Sequence, residues 1–388
     1  MLKQLKTIIR KEILDAIRDR KSFATPIFFS VLFALVMFGT TTFLVKQQNE
    51  VKNFSILING AESGRPLVDW LEKSGITLIK ADNDGLQQVK THKHDMLLVL
   101  PRNFNEKLNQ NQQVTVELFS DQSAMMSQGK VLQVQNLINQ FSANTGKQRL
   151  IERKLNPEIA NPVTIKSTNV AGDQKMAARV IGSLPLVLMI IAFISGIGMS
   201  SDMAAGEREK RTLEPLLANP VSHASIFIGK WFAGALVTFI IACTGIVLQF
   251  ISVKKSPLAE LGLHVNLGTH DFFLILLILI PVIIFASSLQ LLVSFLARSF
   301  KDSQYYSQLV VFLPMLPGLY LTYNSGLVQT SHMMIPILGA QALLVNVISG
   351  DAVSIAHIIL AGINSLIMAL ICTAMGIFLL KREKTIFS

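Results

Sequence analysis

The sequence is poor in cysteine and in charge, and each shortage excludes a class of protein. Its two cysteines, Cys243 and Cys372, both lie inside apolar stretches, so no disulfide framework can be read from it. Charged residues make up 15% of the chain and hydrophobic residues 51%. Soluble domains carry roughly a quarter of charged residues. A single soluble domain is therefore excluded.

The sequence also lacks the motifs of the common enzyme classes. It has no G-x-S-x-G, no H-E-x-x-H and no carboxylate pair that differs from ordinary surface charge. His92 and His94 lie close together before Asp95, but metal-binding histidine pairs on a helix are usually four residues apart. We therefore interpret this segment as a solvated turn before a strand, and we predict neither a metal site nor a catalytic site.

A nucleotide-binding loop is absent as well. The segment around Gly146 and Lys147 has Phe141 in place of the first glycine of a Walker A motif, and Gln148 in place of its Ser or Thr. This chain therefore cannot hydrolyse ATP on its own, and any ATPase must come from another polypeptide.

What the sequence does contain is a set of long apolar stretches without charge. About 20 helical residues cross the hydrocarbon core of a bilayer, so such stretches can span it. The pattern predicts an α-helical multi-pass membrane protein. The six predicted spans are residues 23–45, 180–201, 231–253, 272–297, 305–324 and 354–380.

Basic residues gather at one end of the predicted spans. They lie in residues 1–22, in residues 202–230, in the short connection that holds Arg298 and Lys301, and in the tail, residues 381–388. The positive-inside rule places these regions, and with them both termini, in the cytoplasm. Topology thereby explains the net charge of +10, and no nucleic acid is expected as a partner.

One further apolar segment, residues 333–350, is short and is interrupted by Pro336 and Gly339. Counted as a span, it would move the basic tail to the outer side. We therefore expect a re-entrant or interfacial segment on the outer side. Irregular backbone is tolerated at membrane depth when protein or a water-filled cavity surrounds it.

Residues 1–22 are predicted to form an amphipathic helix on the inner membrane surface. Leu2, Leu5, Ile9, Ile13 and Ala16 recur every three or four residues, and most of the basic residues occupy the other faces. Such a helix lies in the plane of the interface, with its apolar stripe in the lipid. A plain charged leader would not need this stripe.

Residues 46–179 separate the first two spans, and the topology places them on the outer side. Their composition is that of a soluble domain, and a long helix is expected from Ser123 to Leu155. The alternation of strands and helices predicts a small extracytoplasmic α/β domain. Four short strands are predicted, with helical segments between them: Phe54–Ile58, Ile76–Lys80, Met96–Pro101 and Val114–Phe119.

The predicted cytoplasmic segment, residues 202–230, is dense in charge although apolar spans border it. It contains, in order, Glu207-Arg208-Glu209, Thr212-Leu213-Glu214, Leu216-Leu217, Pro220-Val221-Ser222 and Gly229-Lys230. The segment resembles the inner loop of the ABC-2 type transporter permeases, which reads E-R-E-x-G-T-L-E-x-L-L followed by P-V-S and G-K. The sequence departs from this motif at two positions: Arg211 replaces the glycine that the family usually has, and Pro215 takes a variable position.

The resemblance extends over the whole chain. Residues 10–22 look like the amino-terminal interface helix of the family, and residues 333–350 look like its outer re-entrant segment. Residues 95–109 and 114–141 are similar to the outer domain of its larger members. Within the family, the chain is most similar to the permease subunits of the sodium-extruding, Nat-type exporters.

The resemblance implies a short coupling helix in this loop, seated on a separate ATPase subunit. Its charged face would bind that partner, and its leucines would fill an apolar contact. The alternative is that residues 202–230 only keep this connection in the cytoplasm through their positive charge. A segment with that task would not need several acidic residues. The residues thus assigned to ATPase coupling are Glu207, Arg208, Glu209, Thr212, Leu213, Glu214, Leu217 and Pro220, and those of the interface helix are Arg10, Lys11, Glu12, Arg18 and Arg20.

The resemblance also implies the partners and the substrate. Two copies of this chain would assemble with two NatA-like ATPase subunits in the cell membrane of a bacterium. ATP and Mg²⁺ would bind to the ATPase subunits, so this chain needs no cofactor of its own. Sodium is the expected substrate. Export of a drug, lipid or peptide is the alternative, and a membrane sensor or scaffold with a ligand-binding outer domain is a third hypothesis.

Charged residues are absent from the middle of the six predicted spans, and Asp202, Asp271 and Asp351 lie only at their edges. Buried acids usually mark ion pathways, so a proton- or sodium-coupled secondary transporter is not expected. An ion that is held weakly can still be bound by the neutral oxygens of Ser, Asn and Gln side chains. Hydrogen bonds between helices explain the presence of most of these polar residues equally well. The candidate pathway residues are Ser195, Ser287, Asn324, Asn346 and Asn364.

Ala192, Gly196 and Ser200 form a ladder of small residues along the second predicted span. Such a ladder permits two helices to approach closely. The partner helix can belong to a second copy of the chain, because the family tends to build its dimer seam from spans two and five and the re-entrant segment. Packing against another helix of the same chain explains the ladder as well.

Overall fold

The structure, a computed structural model, describes residues 2–52, 54–81, 84–91, 93–120, 125–160, 173–261, 265, 267–323 and 330–381. His92, Asn324 and, beyond Lys381, the predicted cytoplasmic tail lie outside these residues. The strands are β1 (Ser55–Asn59), β2 (Thr77–Lys80), β3 (Met96–Val99) and β4 (Glu117–Ser120). The α-helices in chain order are α1 (Leu2–Arg18), α2 (Arg20–Lys52), α3 (Arg65–Lys73), α4 (Gly85–Lys90), α5 (Phe104–Asn109), α6 (Met125–Glu152), α7 (Asp173–Val180), α8 (Leu184–Ile194), α9 (Ile197–Ser201), α10 (Glu207–Glu209), α11 (Leu213–Ala218), α12 (His223–Lys255), α13 (Thr269–Leu296), α14 (Phe300–Val310), α15 (Met315–Tyr323), α16 (Pro336–Ser349) and α17 (Ile355–Lys381).

Short 3₁₀-helices and one π-helix complete the described secondary structure. The 3₁₀-helices are Ala61–Gly64, Pro157–Ala160, Leu258–Leu261 and Thr330–Met334, and the π-helix is Asp202–Gly206. The chain divides into two compact units, one of residues 43–170 and one of residues 1–42 and 171–388.

The unit of residues 43–170 is built on a four-stranded sheet with the order β2-β1-β3-β4. β1 pairs in parallel with β2 and β3, and β4 pairs antiparallel with β3. The central strands are apolar runs whose residues are mostly buried, as expected when both faces of a strand are covered. Each strand overlaps one of the four strands predicted from the sequence.

Helices cover this sheet and supply the rest of its core. Leu67 and Leu71 of α3, and Val131 and Val134 of α6, are buried in one cluster with the apolar residues of β1 and β3. Trp70 of α3 donates a hydrogen bond from Nε1 to the Leu137 carbonyl of α6, at 3.1 Å. The indole thereby buries its apolar body and still satisfies its one donor.

The unit of residues 1–42 and 171–388 is helical. Among the described residues, five helical segments are long and apolar enough to cross a membrane: Phe23–Lys46, Leu184–Glu209, His223–Glu260, Thr269–Leu296 and Ile355–Lys381. Each overlaps a predicted span, because a run of about 20 apolar residues is a property that the sequence shows directly.

The predicted span at residues 305–324 is wrong as a single continuous helix. The chain instead forms α14, a turn at residues 311–314, and α15. Pro314 is the reason: proline has no N–H to donate, and its ring clashes with the carbonyl four residues earlier. That carbonyl belongs to Val310, the last residue of α14.

The second span is also irregular. Its helix is interrupted by a turn at Ser195 and Gly196, between α8 and α9, and continues as the π-helix before α10. π-helical turns within α-helices are rare, and they frequently lie at functional sites.

α13 is the central helix of this unit and packs against α12, α14, α16 and α17. α16 has 14 residues, which gives a length of about 21 Å against a hydrocarbon thickness of about 30 Å. A straight helix of this length is too short to span the bilayer, and the re-entrant form stays a prediction.

Candidate functional site

Four charged side chains, three of them buried and the fourth, Lys11, 44% exposed, form a cluster that joins α1 to α10 and α12. Lys230, which is 0% exposed, has its Nζ 2.7 Å from Glu12 Oε1 and 2.6 Å from Glu207 Oε2. Lys11 Nζ lies 3.1 Å from Glu12 Oε1 and also contacts Glu207 Oε1. Two positive charges thus meet two negative charges. We call these four residues the charge cluster.

The charge cluster forms because Glu12 lies on the buried face of α1. Ile8, Glu12 and Ala16 follow one another at intervals of four residues, so they share one face of the helix, and all three are buried. Gly229 permits the close approach of this face, since a Cβ there would lie 2.7 Å from Ile8 Cγ2. Gly229 therefore allows α1 to pack closely against α12, and Lys230 neutralises Glu12, the buried glutamate of α1.

The other residues predicted for the interface helix lie elsewhere. Arg10 and Arg18 are exposed, and the side chain of Arg20 lies outside the described side chains. The predicted apolar stripe is only half-buried at Ile9 and Ile13, because the face that packs against the bundle is the one that carries Glu12. A glutamate between two apolar residues at four-residue spacing was the signal in the sequence for this burial.

The energetics of the charge cluster require all of its members to be paired. Each buried ion carries a desolvation cost of several kcal/mol, which only close opposite charges and hydrogen bonds offset. Burial alone would lower the pKa of the Lys11 ammonium, but the carboxylates of Glu12 and Glu207 outweigh burial and raise that pKa. Lys11 is therefore charged at physiological pH.

The two residues after Glu207 fasten the same segment to α13 and α14. Arg208 donates from Nη1 to the Ala297 carbonyl at 3.0 Å and from Nη2 to the Phe295 carbonyl at 3.1 Å. These carbonyls lie at the end of α13, where helical carbonyls have no partner within the helix. Glu209 Oε2 accepts the Phe300 N–H at 2.8 Å, at the start of α14.

The segment after α10 turns through a left-handed residue, Arg211, whose φ is 54°. The Thr212 N–H donates to the Glu207 carbonyl and the Arg211 N–H to the Arg208 carbonyl, which is the Schellman pattern of helix ends. Glycine adopts this φ freely, whereas a side chain there costs roughly 1–2 kcal/mol. The family loop usually has a glycine at this position, and the left-handed conformation is the structural reason for it. Arg211 adopts the same conformation with backbone strain.

α11 has one face on the bundle and one face in solvent. Leu213 is buried, and Leu216 and Leu217 pack against the same apolar cluster, which includes Phe227. Glu214, Pro215, Asn219 and Pro220 are exposed, as are Thr212 and Arg211. The Pro220 carbonyl accepts a hydrogen bond from Gln4 Nε2 of α1 at 3.1 Å.

This placement corrects part of the predicted set of coupling residues. Glu207 and Leu213 were expected to contact a partner, but both are buried within this chain, in the charge cluster and against α12. Arg208 is bound to carbonyls of α13. Glu214 and Pro220 remain on the surface.

A cavity of about 1300 Å³ lies beside the charge cluster, between α1, α2, α8, α9, α10 and α14. Apolar side chains such as Phe29, Ile197 and Phe312 contribute to its lining. Acidic residues outnumber basic ones around it, with Asp15, Asp19, Asp202, Glu207 and Glu209 against Lys11, Arg18 and Lys210. The cavity therefore combines apolar contact surface with an excess of negative charge.

The four predicted pathway residues that the structure describes lie on different helical segments. Ser195 donates to the Ile191 carbonyl of its own helix, and Asn364 Nδ2 donates to the Met333 carbonyl at 3.0 Å. Ser287 is buried on α13, Asn346 is half-buried on α16, and Asn324 lies outside the described residues. Ser195 and Asn364 thus use their polar groups in hydrogen bonds within and between helices, as most polar residues of membrane helices do.

The chain is similar to known membrane transport proteins. The model of the ABC-2 family transporter proteins matches residues 22–381. The ABC transporter permease protein NatB of Bacillus subtilis (strain 168) is 25% identical, over 89% of this chain and 90% of the relative. The "Probable multidrug ABC transporter permease YbhR" of Escherichia coli (strain K12) is 26% identical, over 59% of this chain and 60% of the relative.

Loss of one member of the charge cluster should destabilise the protein strongly. We expect Lys230→Met to lower the free energy of unfolding by about 3–5 kcal/mol, because two buried carboxylates then share one lysine. Adding Glu12→Gln removes the excess negative charge and should restore part of the loss. Thermal unfolding of the purified protein in detergent measures both effects.

The matched control is Lys210→Met, which removes the exposed pair between Lys210 and Asp202 and should cost less than about 1 kcal/mol. If Lys230→Met is no less stable than this control, or if Glu12→Gln adds to the damage, the charge cluster does not have the role described.

Replacement of the strained arginine should stabilise the protein. We expect Arg211→Gly to raise the free energy of unfolding by roughly 1 kcal/mol, because glycine removes the clash of the left-handed conformation. Lys210→Gly is the comparison, since Lys210 has a φ of −77° and glycine there should destabilise. Equal effects at the two positions in thermal unfolding would show that the backbone strain at Arg211 is not significant.

Proposed function

The chain belongs to the ABC-2 family of transporter proteins, and on this premise we propose that it exports sodium ions as the permease subunit of an ATP-driven exporter. A separate, NatA-like ATPase subunit binds ATP and Mg²⁺ and drives the transport. Two copies of this chain and two ATPase subunits form the complex in the bacterial cell membrane. The observation that carries the proposal is the attachment of the segment at residues 207–220 to four helices, α1, α12, α13 and α14.

That attachment makes the segment suitable for transmitting force. The charge cluster ties α10 to α1 and α12, Arg208 ties it to α13, and Glu209 ties it to α14. A movement applied to the exposed face around Glu214 is therefore shared by α1, α12, α13 and α14, of which α1 and α14 border the cavity. Coupling between two sites requires such an element, one whose position both sites bias.

The broken helix α14–α15 supports a sixth crossing of the membrane. Phe300, at the start of α14, is bound to Glu209 beside the charge cluster. Gly318 of α15 lies against Leu186 and Gln341, and Leu321 packs in one cluster with Met333. The two short helices thus carry the chain from one end of the bundle to the other, so that both termini lie on the side of the basic residues, the cytoplasm.

A second copy has a suitable surface on these two helices. Tyr305, Leu309, Phe312, Leu316 and Leu319 of α14 and α15 are exposed on the single chain. Phe312 also lines the cavity. We place the seam between the two permeases along this face, where the second copy borders the cavity.

The charge around the cavity favours a cation as the substrate. Five acidic residues and three basic residues line it, and an excess of negative charge in a cleft raises the local concentration of cations. Among the cations, we choose sodium because of the resemblance of the sequence to the sodium-extruding, Nat-type permeases; a relative named NatB is 25% identical over 89% of this chain.

Export of an amphiphilic organic cation is the second candidate. The volume of about 1300 Å³ and the apolar lining would accommodate a drug-sized molecule, and one relative bears the name of a multidrug permease. The transport assay below therefore includes both substrates.

Sodium flux measures the proposed activity directly. Inverted membrane vesicles that contain this permease and its ATPase should take up labelled sodium when ATP is supplied, and the uptake should disappear without ATP or with an inactive ATPase. Uptake that stays at background, together with ATP-driven uptake of a fluorescent cationic drug, would assign the second substrate instead.

The docking surface is tested by reversing one charge. Glu214→Lys should weaken the association with the ATPase subunit by about tenfold or more, since a loss of 1.4 kcal/mol already has that effect, and it should leave the thermal stability of the permease unchanged. Glu260→Lys, at an exposed glutamate near the far end of α12, is the control and should associate normally. Co-purification measures both, and equal recovery of the ATPase with the two variants would contradict docking at Glu214.

A further inference from the structure

The exposed turn between α10 and α11 carries a cation in an unfavourable backbone conformation. Arg211 has a φ of 54°, in the left-handed region that has a free-energy cost for every residue with a Cβ. The family loop usually has a glycine at this position, and glycine adopts the conformation without that cost. The backbone therefore does not explain the arginine, and its side chain needs another explanation.

Strain alone does not assign a role to Arg211. Lys154, two residues after α6, has a similar φ of 58°, and a left-handed residue is a common way to end a helix. A role for Arg211 must therefore be visible in its side chain and in its surroundings.

The side chain of Arg211 is exposed, and no group of the described residues binds its guanidinium. Its two basic neighbours differ in this respect. Arg208 donates to the Ala297 and Phe295 carbonyls, and Lys210 Nζ lies 2.8 Å from Asp202 Oδ1. Arg211 thus presents five N–H donors to the solvent.

The carboxylates of the neighbouring α14 do not pair with Arg211, because they serve the start of that helix. Glu209 Oε2 accepts the Phe300 N–H at 2.8 Å. Asp302 lies in the first turn of α14, where the helix dipole favours an acid. Arg211 is therefore available for a carboxylate of another protein.

The backbone at Arg211 is held in a defined position. Its N–H donates to the Arg208 carbonyl, and the N–H of Thr212 donates to the carbonyl of Glu207, which belongs to the charge cluster. The buried side chain of Leu213 follows. A long side chain on a fixed backbone loses less freedom on binding than one on a mobile loop.

The position of Arg211 identifies the other protein. Arg211 and Glu214 are three residues apart and are both exposed, so Arg211 belongs to the surface on which the ATPase subunit is proposed to dock. This surface thereby presents a positive and a negative charge in a fixed order. A partner with the reverse order of charges is attracted, and a partner with like charges is repelled.

We propose that Arg211 determines which ATPase subunit this permease accepts, by binding a carboxylate on the facing surface of that subunit. This assignment rests on the proposed function, since it assumes an ATPase docked around Glu214, and it deepens that function by naming the chemistry of the partner. Arginine binds a carboxylate through two parallel N–H···O bonds. An ATPase with a lysine or arginine at the facing position would be rejected.

The strain at Arg211 is consistent with this role. The left-handed residue ends α10 and leads the chain into α11, so a cation at this position has to adopt that conformation. Strained residues cluster at functional sites, and a stabilising replacement there often lowers function. Arg211→Gly should therefore have opposite effects on stability and on binding.

Binding between the purified, full-length permease and the ATPase subunit that co-purifies with it tests the assignment. We expect Arg211→Gly to weaken this binding by about tenfold, as expected for the loss of hydrogen bonds to a charged group, and to raise the melting temperature by roughly 2 °C. Arg211→Gln keeps the strain and removes the charge. It should weaken binding to a similar extent and leave the melting temperature unchanged.

The salt dependence of binding gives a second readout. An ion pair at an accessible surface is screened by salt. Binding of the unaltered permease should therefore weaken more steeply with added sodium chloride than binding of Arg211→Gln. Parallel salt dependences would contradict an ion pair at this position.

Lys154→Gly is the matched control for the relief of strain. It removes a side chain from a similar φ, but in the unit of residues 43–170. It should raise the melting temperature as Arg211→Gly does and leave the affinity for the ATPase unchanged. An equal loss of affinity in Lys154→Gly, or an unaltered affinity in both Arg211 variants, would overturn the proposal.

Failure of this assignment and failure of the proposed function give different results. If Glu214→Lys loses the ATPase and both Arg211 variants keep it, docking stands and the role of Arg211 is overturned. If the Arg211 variants lose the ATPase but vesicles of the unaltered complex take up no sodium, the role of Arg211 stands and sodium export is overturned.

Discussion

A buried charge must meet its counter-charge, and this constraint fixes the position at which α1 packs against α10 and α12. Lys230 is fully enclosed, so it requires both Glu12 and Glu207 beside it. Those two carboxylates belong to segments that are distant in sequence, and each is itself buried. None of the three can leave without stranding the others, because the attraction that offsets desolvation exists only while they are together. The attachments of Arg208 and Glu209 then extend this fixed point to α13 and α14.

The residues that resemble the family loop therefore divide into two groups with different physical tasks. Those inside the chain hold the segment in place, and Glu207 and Leu213 belong to this group. Those on its surface, such as Glu214 and Pro220, are available to another protein. A sequence motif mixes the two groups, because spacing along the chain does not show which face of a short helix is covered. Burial separates them.

Much of the architecture could be predicted from the sequence because a membrane-spanning helix is a local property. The break after Val310 was visible in principle as Pro314, but the apolar run continues through it and hides the interruption. The partner of Glu12 could not be predicted, since Lys230 lies 218 positions away and only packing brings them together.

The separation of 218 positions between Glu12 and Lys230 also has a consequence for biosynthesis. At about 5–20 residues per second, the ribosome needs roughly 10–40 s to produce α12 after α1 has emerged. During this interval Glu12 has no counter-ion from α12, so α1 cannot yet occupy its final position on the nascent bundle. The final docking of α1 therefore has to follow the synthesis of the helix that contains Lys230, and the first helix of the chain is among the last to reach its place.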